Sequence, residues 1–140
     1  MDSIDLDVLK TSLEWLRQGH GATLATVVRT WGSAPRPIGA MTAIRDDGLV
    51  AGSVSGGCVE DDMIEKVRSG RMAARGPELV IYGITREQAE RFGLPCGGTL
   101  ELVAERLGPG SGLAALVEPI GRHEVVTRRL DMASGRAEVI

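Results

Sequence analysis

An α/β fold is what this sequence predicts: a mixed β-sheet flanked by helices, with a small C-terminal extension made of a helix and a β-hairpin. Three observations lead there. Leucines at 6, 9, 13 and 16 recur at helical spacing. Residues 22–30 (ATLATVVRT) are rich in β-branched side chains and read as a buried strand. Glycine and proline clusters then separate short helical and strand-like runs in alternation.

The elements follow in order. Residues 4–18 form the first helix, its apolar stripe widened by Val8 and Trp15; Asp5 or Asp7 can cap it, and Gly19 with Gly21 ends it. After the strand at 22–30, residues 31–39 (WGSAPRPIG) hold two prolines and two glycines and must be a loop. Residues 41–45 and 49–53 make a hairpin turning at Asp46, Asp47 and Gly48. The glycine- and serine-rich stretch 52–57 feeds a helix over 58–68, closed by Gly70. A strand at 78–82 and a short helix at 85–92 come next, then a tight turn at Cys96-Gly97-Gly98 and a strand at 99–104. Residues 108–112 (GPGSG) read as a linker, 113–120 as a helix, and 123–130 with 136–140 as a hairpin.

Composition narrows the function. A hydrophobic fraction of 43% supports a real core, and with so few aromatics it must be built from Val, Ile, Leu, Ala and Met. A formal net charge of −3 argues against nucleic acid or an anionic membrane as partner. No apolar run approaches the roughly 20 residues that a membrane span needs. The acidic start, Met1-Asp-Ser-Ile-Asp-Leu-Asp7, has no leader character, so the expected location is cytoplasmic and the two cysteines are expected as free thiols. The final residues 136–140 read as the middle of a strand, as expected of the front part of a longer protein.

The clearest chemical signal is Gly52-Ser-Val-Ser-Gly-Gly-Cys58-Val-Glu60. Glycines let a ligand approach the backbone amides, and a helix start attracts anions and acidifies a thiol placed there. Amides at Gly56 and Gly57 and hydroxyls at Ser53 and Ser55 are candidate donors. Glu60, Asp61 and Asp62 oppose this if their carboxylates face the loop, so the net effect on Cys58 is left unsigned. Known phosphate motifs do not fit. Cys58 and Val59 stand where a P-loop needs Lys and Ser/Thr, and Val54 fills the second glycine position of the dinucleotide fingerprint. The plainer alternative is a tight strand-to-helix turn with Cys58 packed as a small apolar residue.

Cys96, with Gly97 and Gly98, mirrors the first site: Gly-Gly-Cys there, Cys-Gly-Gly here. Two such thiols, if they converge, can hold a soft metal or carry sulfur; if they do not, they are two unrelated buried cysteines. Zinc is weakly supported, since neither His20 nor His123 lies at ligand spacing. Arg36, stiffened between Pro35 and Pro37, suits a phosphate or carboxylate, the bland alternative being a solvated loop arginine. Trp31 is expected to pack at a core or edge, the alternative being to stack on a flat ligand. Arg128 and Arg129 read as a short basic pair on an exposed strand.

Taken together, Gly32-Ser-Ala-Pro-Arg36, Gly39-Ala-Met41, the segment 52–60 and Cys96-Gly-Gly98 with its strand to Glu105 resemble the N-terminal domain of the XdhC/CoxI family. The nine residues ending at Glu60 are the specific part, and the likeness fades after Gly108. The resemblance implies a cofactor-binding domain over 1–107 and, over 108–140, a linker, helix and hairpin that either belong to a shorter single-domain form or lead to an absent C-terminal domain, which many family members carry with its own glycine-rich turn. It further implies a maturation chaperone rather than a catalyst. Such a chaperone binds the molybdenum cofactor in its molybdopterin form, supports its sulfuration, and hands it to enzymes of the xanthine dehydrogenase and carbon monoxide dehydrogenase type. Implied partners are the molybdenum hydroxylase apoprotein and a cysteine desulfurase, with a homodimer as a further expectation. The family's two cysteines fall on Cys58 and Cys96. The cofactor-binding set is then Arg36, Ser53, Ser55, Gly56, Gly57, Cys58, Cys96, Gly97 and Gly98, with Cys58 and Cys96 facing molybdenum or the transferable sulfur.

Two other classes compete. One is a thiol-dependent sulfurtransferase or redox protein using Cys58, weakened in its redox form by the lack of a Cys-x-x-Cys pair. The other is an interaction domain whose glycine loops only dock a partner. No Ser or Cys set with His and an acid is apparent, which disfavours hydrolases.

Overall fold

The computed structural model describes residues 3–32, 36–55, 58–83, 87 and 99–140; the side chain of Cys58 is outside that set. The expected helix at 85–92 and the turn at Cys96-Gly97-Gly98 lie, but for Glu87, outside the described residues.

The α/β expectation holds. Helix α1 spans Ser3–Arg17, followed by strands β1 (Ala22–Trp31), β2 (Met41–Arg45) and β3 (Val50–Gly52), helix α2 (Cys58–Arg68) and strands β4 (Glu78–Tyr82) and β5 (Thr99–Arg106). A 3-10 turn (Pro109–Ser111), helix α3 (Leu113–Gly121) and the short strands β6 (Arg128–Leu130) and β7 (Ala137–Val139) complete the chain. Five strands form one sheet in the order β3-β2-β1-β5-β4, with every described neighbour pair antiparallel; β6 and β7 form a separate hairpin.

Both long helices stop for the same local reason. Gly19 and Gly70 adopt left-handed backbone, at φ +87° and +72°. The amides after them, His20 N and Arg71 N, reach back to Trp15 O and Lys66 O. This is the Schellman closure, in which glycine avoids the Cβ clash of the left-handed region.

Alternation along the strands sorts the apolar side chains onto two faces. Ala25, Val27, Leu100 and Leu102 pack against Val59, Met63 and Val67 of α2. Ala22, Leu24 and Ala43 pack on the other face against Val8, Leu9 and Trp15 of α1, and Leu113 and Leu116 of α3 join that same cluster. Burying a leucine such as Leu9 contributes roughly 1.5–3 kcal/mol. Gly52 shows how closely α1 is seated. Its φ is +78°, and a Cβ there would lie 2.4 Å from Val8 Cγ2 and 2.5 Å from the Met41 carbonyl oxygen. Glycine is therefore required both by the backbone turn and by the approach of the helix.

Some expectations shift. Residues 108–112, expected as a linker, carry the 3-10 turn, with Ser111 buried and its hydroxyl accepting the Gly108 amide at 2.9 Å. The strand expected from His123 begins only at Arg128, since His123 takes left-handed backbone at φ +61°. Arg128 is not the exposed base that its sequence context suggests. Its side chain is 14% exposed and forks onto the buried Glu105 carboxylate, while its Nε donates to Ser111 O at 3.0 Å. No helix among the described residues is long and apolar enough to cross a membrane.

Candidate functional site

Strand direction gathers the chemistry-bearing segments at one end of the sheet. β1 and β3 both run antiparallel to β2, and β1 and β4 both run antiparallel to β5. These three strands therefore point the same way. The segments leaving them contain Arg36, then Ser53 to Cys58, then Cys96. Tyr82, at the end of β4, donates its hydroxyl to Asp62 of α2 at 2.7 Å, which ties the first turns of α2 to that end of the sheet. Burial first, then the Asp62 hydrogen bond, pushes the Tyr82 phenol far above its usual range, so it stays a donor. Thr99 donates to Gly83 O at 3.2 Å and so holds together the two ends of the segment that contains Cys96.

The loop into α2 is organised by Glu60. Its Oε1 accepts the amides of Val54 (2.6 Å) and Ser55 (2.9 Å) and the Ser53 hydroxyl (2.9 Å); its Oε2 accepts the Ser55 hydroxyl. Ser55 Oγ in turn accepts the Val59 amide at 3.3 Å. The result is an enlarged capping box, with the acid and the hydroxyl exchanging bonds across the helix start. Of the arrangements that the sequence left open, the Glu60 carboxylate does face the loop. Burial disfavours its charge, yet the hydrogen bonds from Ser55, Val54 and Ser53 outweigh burial and hold the carboxyl down at about 2.

A folded-state value below the ordinary 4.5 stabilises the protein above that pH, and the contribution is lost as pH falls from about 4.5 toward about 2. Other carboxylates titrate in the same window, so the difference between proteins isolates this one. Unfolding free energy measured from pH 5 to 2 should fall more steeply for wild type than for Glu60→Gln. Equal slopes would remove the clamp from the account.

The other sequence candidates are placed as follows. Cys58 is the first residue of α2. Gly56, Gly57, Cys96, Gly97 and Gly98 lie outside the described residues. Ser53 and Ser55 give their hydroxyls to Glu60. Arg36 stands at the loop end but on the α1 side of the sheet. One guanidinium nitrogen donates to Asp5 Oδ1 at 3.1 Å, and the same oxygen accepts the Met41 amide at 3.0 Å. The Arg36 Nε is buried with no hydrogen-bond partner among the described residues. Among the described residues no group of three or more His, Cys, Asp and Glu is placed to hold a metal ion.

Trp31, raised from the sequence, and Glu101, which no motif marks, also stand at this end. Trp31, the last residue of β1, is 46% exposed, and the Arg29 guanidinium lies 5.4 Å from its ring centre. Glu101, paired with Arg29 across β1 and β5, is only 8% exposed. Its one signal in the sequence is alternation: Glu101, Val103 and Glu105 share one face of a strand whose other face is Leu100, Leu102 and Ala104. On the same face an apolar cleft of ≈ 660 Å³ opens between α1, the floor residues Leu24 and Thr26, and α3.

The family model of the XdhC and CoxI family matches residues 15–83. The molybdenum cofactor insertion chaperone PaoD of Escherichia coli (strain K12) is 34% identical over 133 residues, 89% of this chain and 38% of that protein. The chain belongs to the XdhC and CoxI family. A second relative, named as a probable subunit of xanthine dehydrogenase in Bacillus subtilis (strain 168), is 35% identical over 98 residues, 66% of this chain and 28% of that one. The crystal structure of a xanthine dehydrogenase from Bacillus halodurans superposes with a TM-score of 0.70. It covers 97% of this chain and 40% of that one at 24% identity, a likeness of fold. This XdhC and CoxI family chain thus spans less than half the length of each of these relatives.

Proposed function

We propose that this chain binds the molybdenum cofactor as molybdopterin and serves its insertion into molybdenum hydroxylases of the xanthine dehydrogenase and carbon monoxide dehydrogenase type. The observation that carries the reading is the common end at which β1, β3 and β4 release the segments of Arg36, Cys58 and Cys96. Family membership adds the cargo, because a relative over most of this chain is named as a cofactor insertion chaperone. The cofactor combines an anionic phosphate, a flat pterin and a soft metal–dithiolene end. Thiolates suit the soft end, and peptide amides of a glycine turn suit the phosphate.

In this reading Cys58 and Cys96 serve the metal end and accept transferable sulfur from a cysteine desulfurase. Gly56, Gly57, Gly97 and Gly98 supply amides. Ser53 and Ser55 act through the Glu60 clamp, which shapes the loop ahead of Cys58. Arg36 braces the β1–β2 connection through Asp5. Residues 1–107 form the cofactor-binding part, and 108–140 buttress it through the α3 contact with α1. The chain works in the cytoplasm, as a homodimer.

The test is direct. Purify the protein from cells that make molybdopterin, release any ligand and oxidise it. A fluorescent pterin is expected from wild type and is lost in Cys58→Ser and Cys96→Ser with the fold intact by circular dichroism. Unchanged pterin in both variants removes the thiols from the reading. Persulfide turnover without any pterin favours the sulfurtransferase alternative.

A further inference from the structure

We propose that Glu101 and Trp31 form a recognition point for the pterin ring, with the Glu101 carboxylate reading its aminopyrimidinone edge and Trp31 stacking on its plane. The inference rests on the cofactor-binding reading above and names the residues that select the ring.

The first observation is a carboxylate that no donor among the described residues hydrogen-bonds. Glu101 is 8% exposed, yet its carboxylate makes no hydrogen bond among the described residues. Its one ionic neighbour among them, Arg29 Nε, stands 3.8 Å away, beyond hydrogen-bond reach, on a side chain that is 65% exposed. Glu105, two rungs along the same strand and on the same face, shows what a completed buried carboxylate looks like here. Both of its oxygens are taken by the Arg128 fork. Arg36 Nε is the one fully buried side-chain nitrogen or oxygen without a partner among the described residues, so the Glu101 oxygens keep contact with solvent, where a ligand's donors can replace water.

The second observation is what surrounds it. The register pairs Arg29 with Glu101 and Trp31 with Thr99, so Trp31 lies on the same face one step nearer the sheet end. The cation–π contact of Arg29 with Trp31 fixes the ring beside the carboxylate. Across β5, Ile81 pairs with Glu101 and is 43% exposed. The strand face there presents the Glu101 carboxylate, the exposed Trp31 indole and Ile81, with the Arg29 guanidinium beside both the carboxylate and the indole, and β5 follows directly from the segment of Cys96.

The ligand chemistry follows. A carboxylate in a partly dry site prefers two parallel N–H donors. The N3–H and 2-amino group of a pterin present such a pair on a flat ring that an indole can cover. Lumazine carries a carbonyl oxygen in place of the 2-amino group and would set an acceptor against the carboxylate.

The experiment titrates the full chain with pterin and with lumazine, both followed by their own fluorescence. Wild type is expected to bind pterin at least about tenfold more tightly than lumazine. Glu101→Gln, whose amide matches the lumazine edge, should abolish or reverse that ratio while melting no lower than wild type. Trp31→Ala should weaken both rings alike and leave the ratio unchanged. A wild-type ratio that survives in Glu101→Gln overturns the assignment. Molybdopterin content of the purified proteins separates the two levels. If wild type and Glu101→Gln carry it equally and the ratio is unmoved, only the Glu101 role falls. If wild type carries none and binds neither ring, the cofactor reading falls with it.

Discussion

Replacing Glu60 with alanine is expected to cost about 2–4 kcal/mol of stability at neutral pH and, on the proposed cofactor binding, to empty the protein of pterin. The carboxylate satisfies two amides and two hydroxyls of a buried loop. Alanine leaves the Val54 and Ser55 amides without that acceptor, and each stranded buried group costs about 1–3 kcal/mol. The loop that delivers Cys58 to the head of α2 then loses its shape. Glu60→Gln is the informative control. Its single carbonyl oxygen can take the three donors now on Oε1, and its amino group can donate to Ser55 Oγ once that hydroxyl rotates. Glutamine should therefore cost about 1 kcal/mol and keep most of the bound pterin. Denaturant unfolding with parallel pterin assays checks both. An alanine variant as stable as wild type, or one that retains its pterin, would show that the loop does not depend on the clamp.

The Arg128→Ala change should be at least as damaging, about 3–5 kcal/mol, although arginine on a short C-terminal strand reads as dispensable. The fork joins a side chain 14% exposed to one 5% exposed, and alanine leaves the Glu105 carboxylate buried without its cation. The Nε bond that holds the 3-10 turn through Ser111 O is lost as well. Most of this cost is the penalty for the stranded charge, not the worth of the pair. The paired change Arg128→Met with Glu105→Leu should therefore recover the larger part, since apolar groups of similar size pack without desolvating ions. Thermal and denaturant unfolding of the three proteins decides it. A single variant that loses less than about 1 kcal/mol would mean that Glu105 finds another partner or is wetter than its burial implies.

The Glu60 clamp closes over five to seven residues and the Arg128 fork over 23, and in both the side-chain partner is where a sequence reading stops. Periodicity located α1 from its leucines, β1 from its β-branched run, and the hairpin at Asp46 to Gly48, because those patterns report local backbone geometry. The start of the glycine-rich stretch before Cys58 was legible for a similar reason: at Gly52, with φ +78°, glycine is the residue that fits. The partner of a side chain was not. Asp5 stands where a helix-capping acid would, yet it spends its carboxylate on Arg36 and on the Met41 amide. Arg128 looked like a solvated base beside Arg129. Glu60 could have faced either way from the first turn of α2. In each case the choice is made by which donors the folded backbone brings within about 3 Å: a distant element for Asp5 and Arg128, the preceding loop for Glu60.

By itself, then, the sequence determined most of the elements among the described residues, the family and the two glycine-flanked cysteines, all of which follow from local conformational preference and from motif. Only the tertiary structure decided the strand order β3-β2-β1-β5-β4, and with it the shared end at which the Arg36, Cys58 and Cys96 segments leave the sheet. It also decided which carboxylates are spent: Glu60 on the loop, Glu105 on Arg128, and Glu101 on no hydrogen bond among the described residues. The reason is physical. A buried charge must find its donors in three dimensions, whether from the loop just before it, as for Glu60, or from a distant strand, as for Glu105, and spacing alone does not say which.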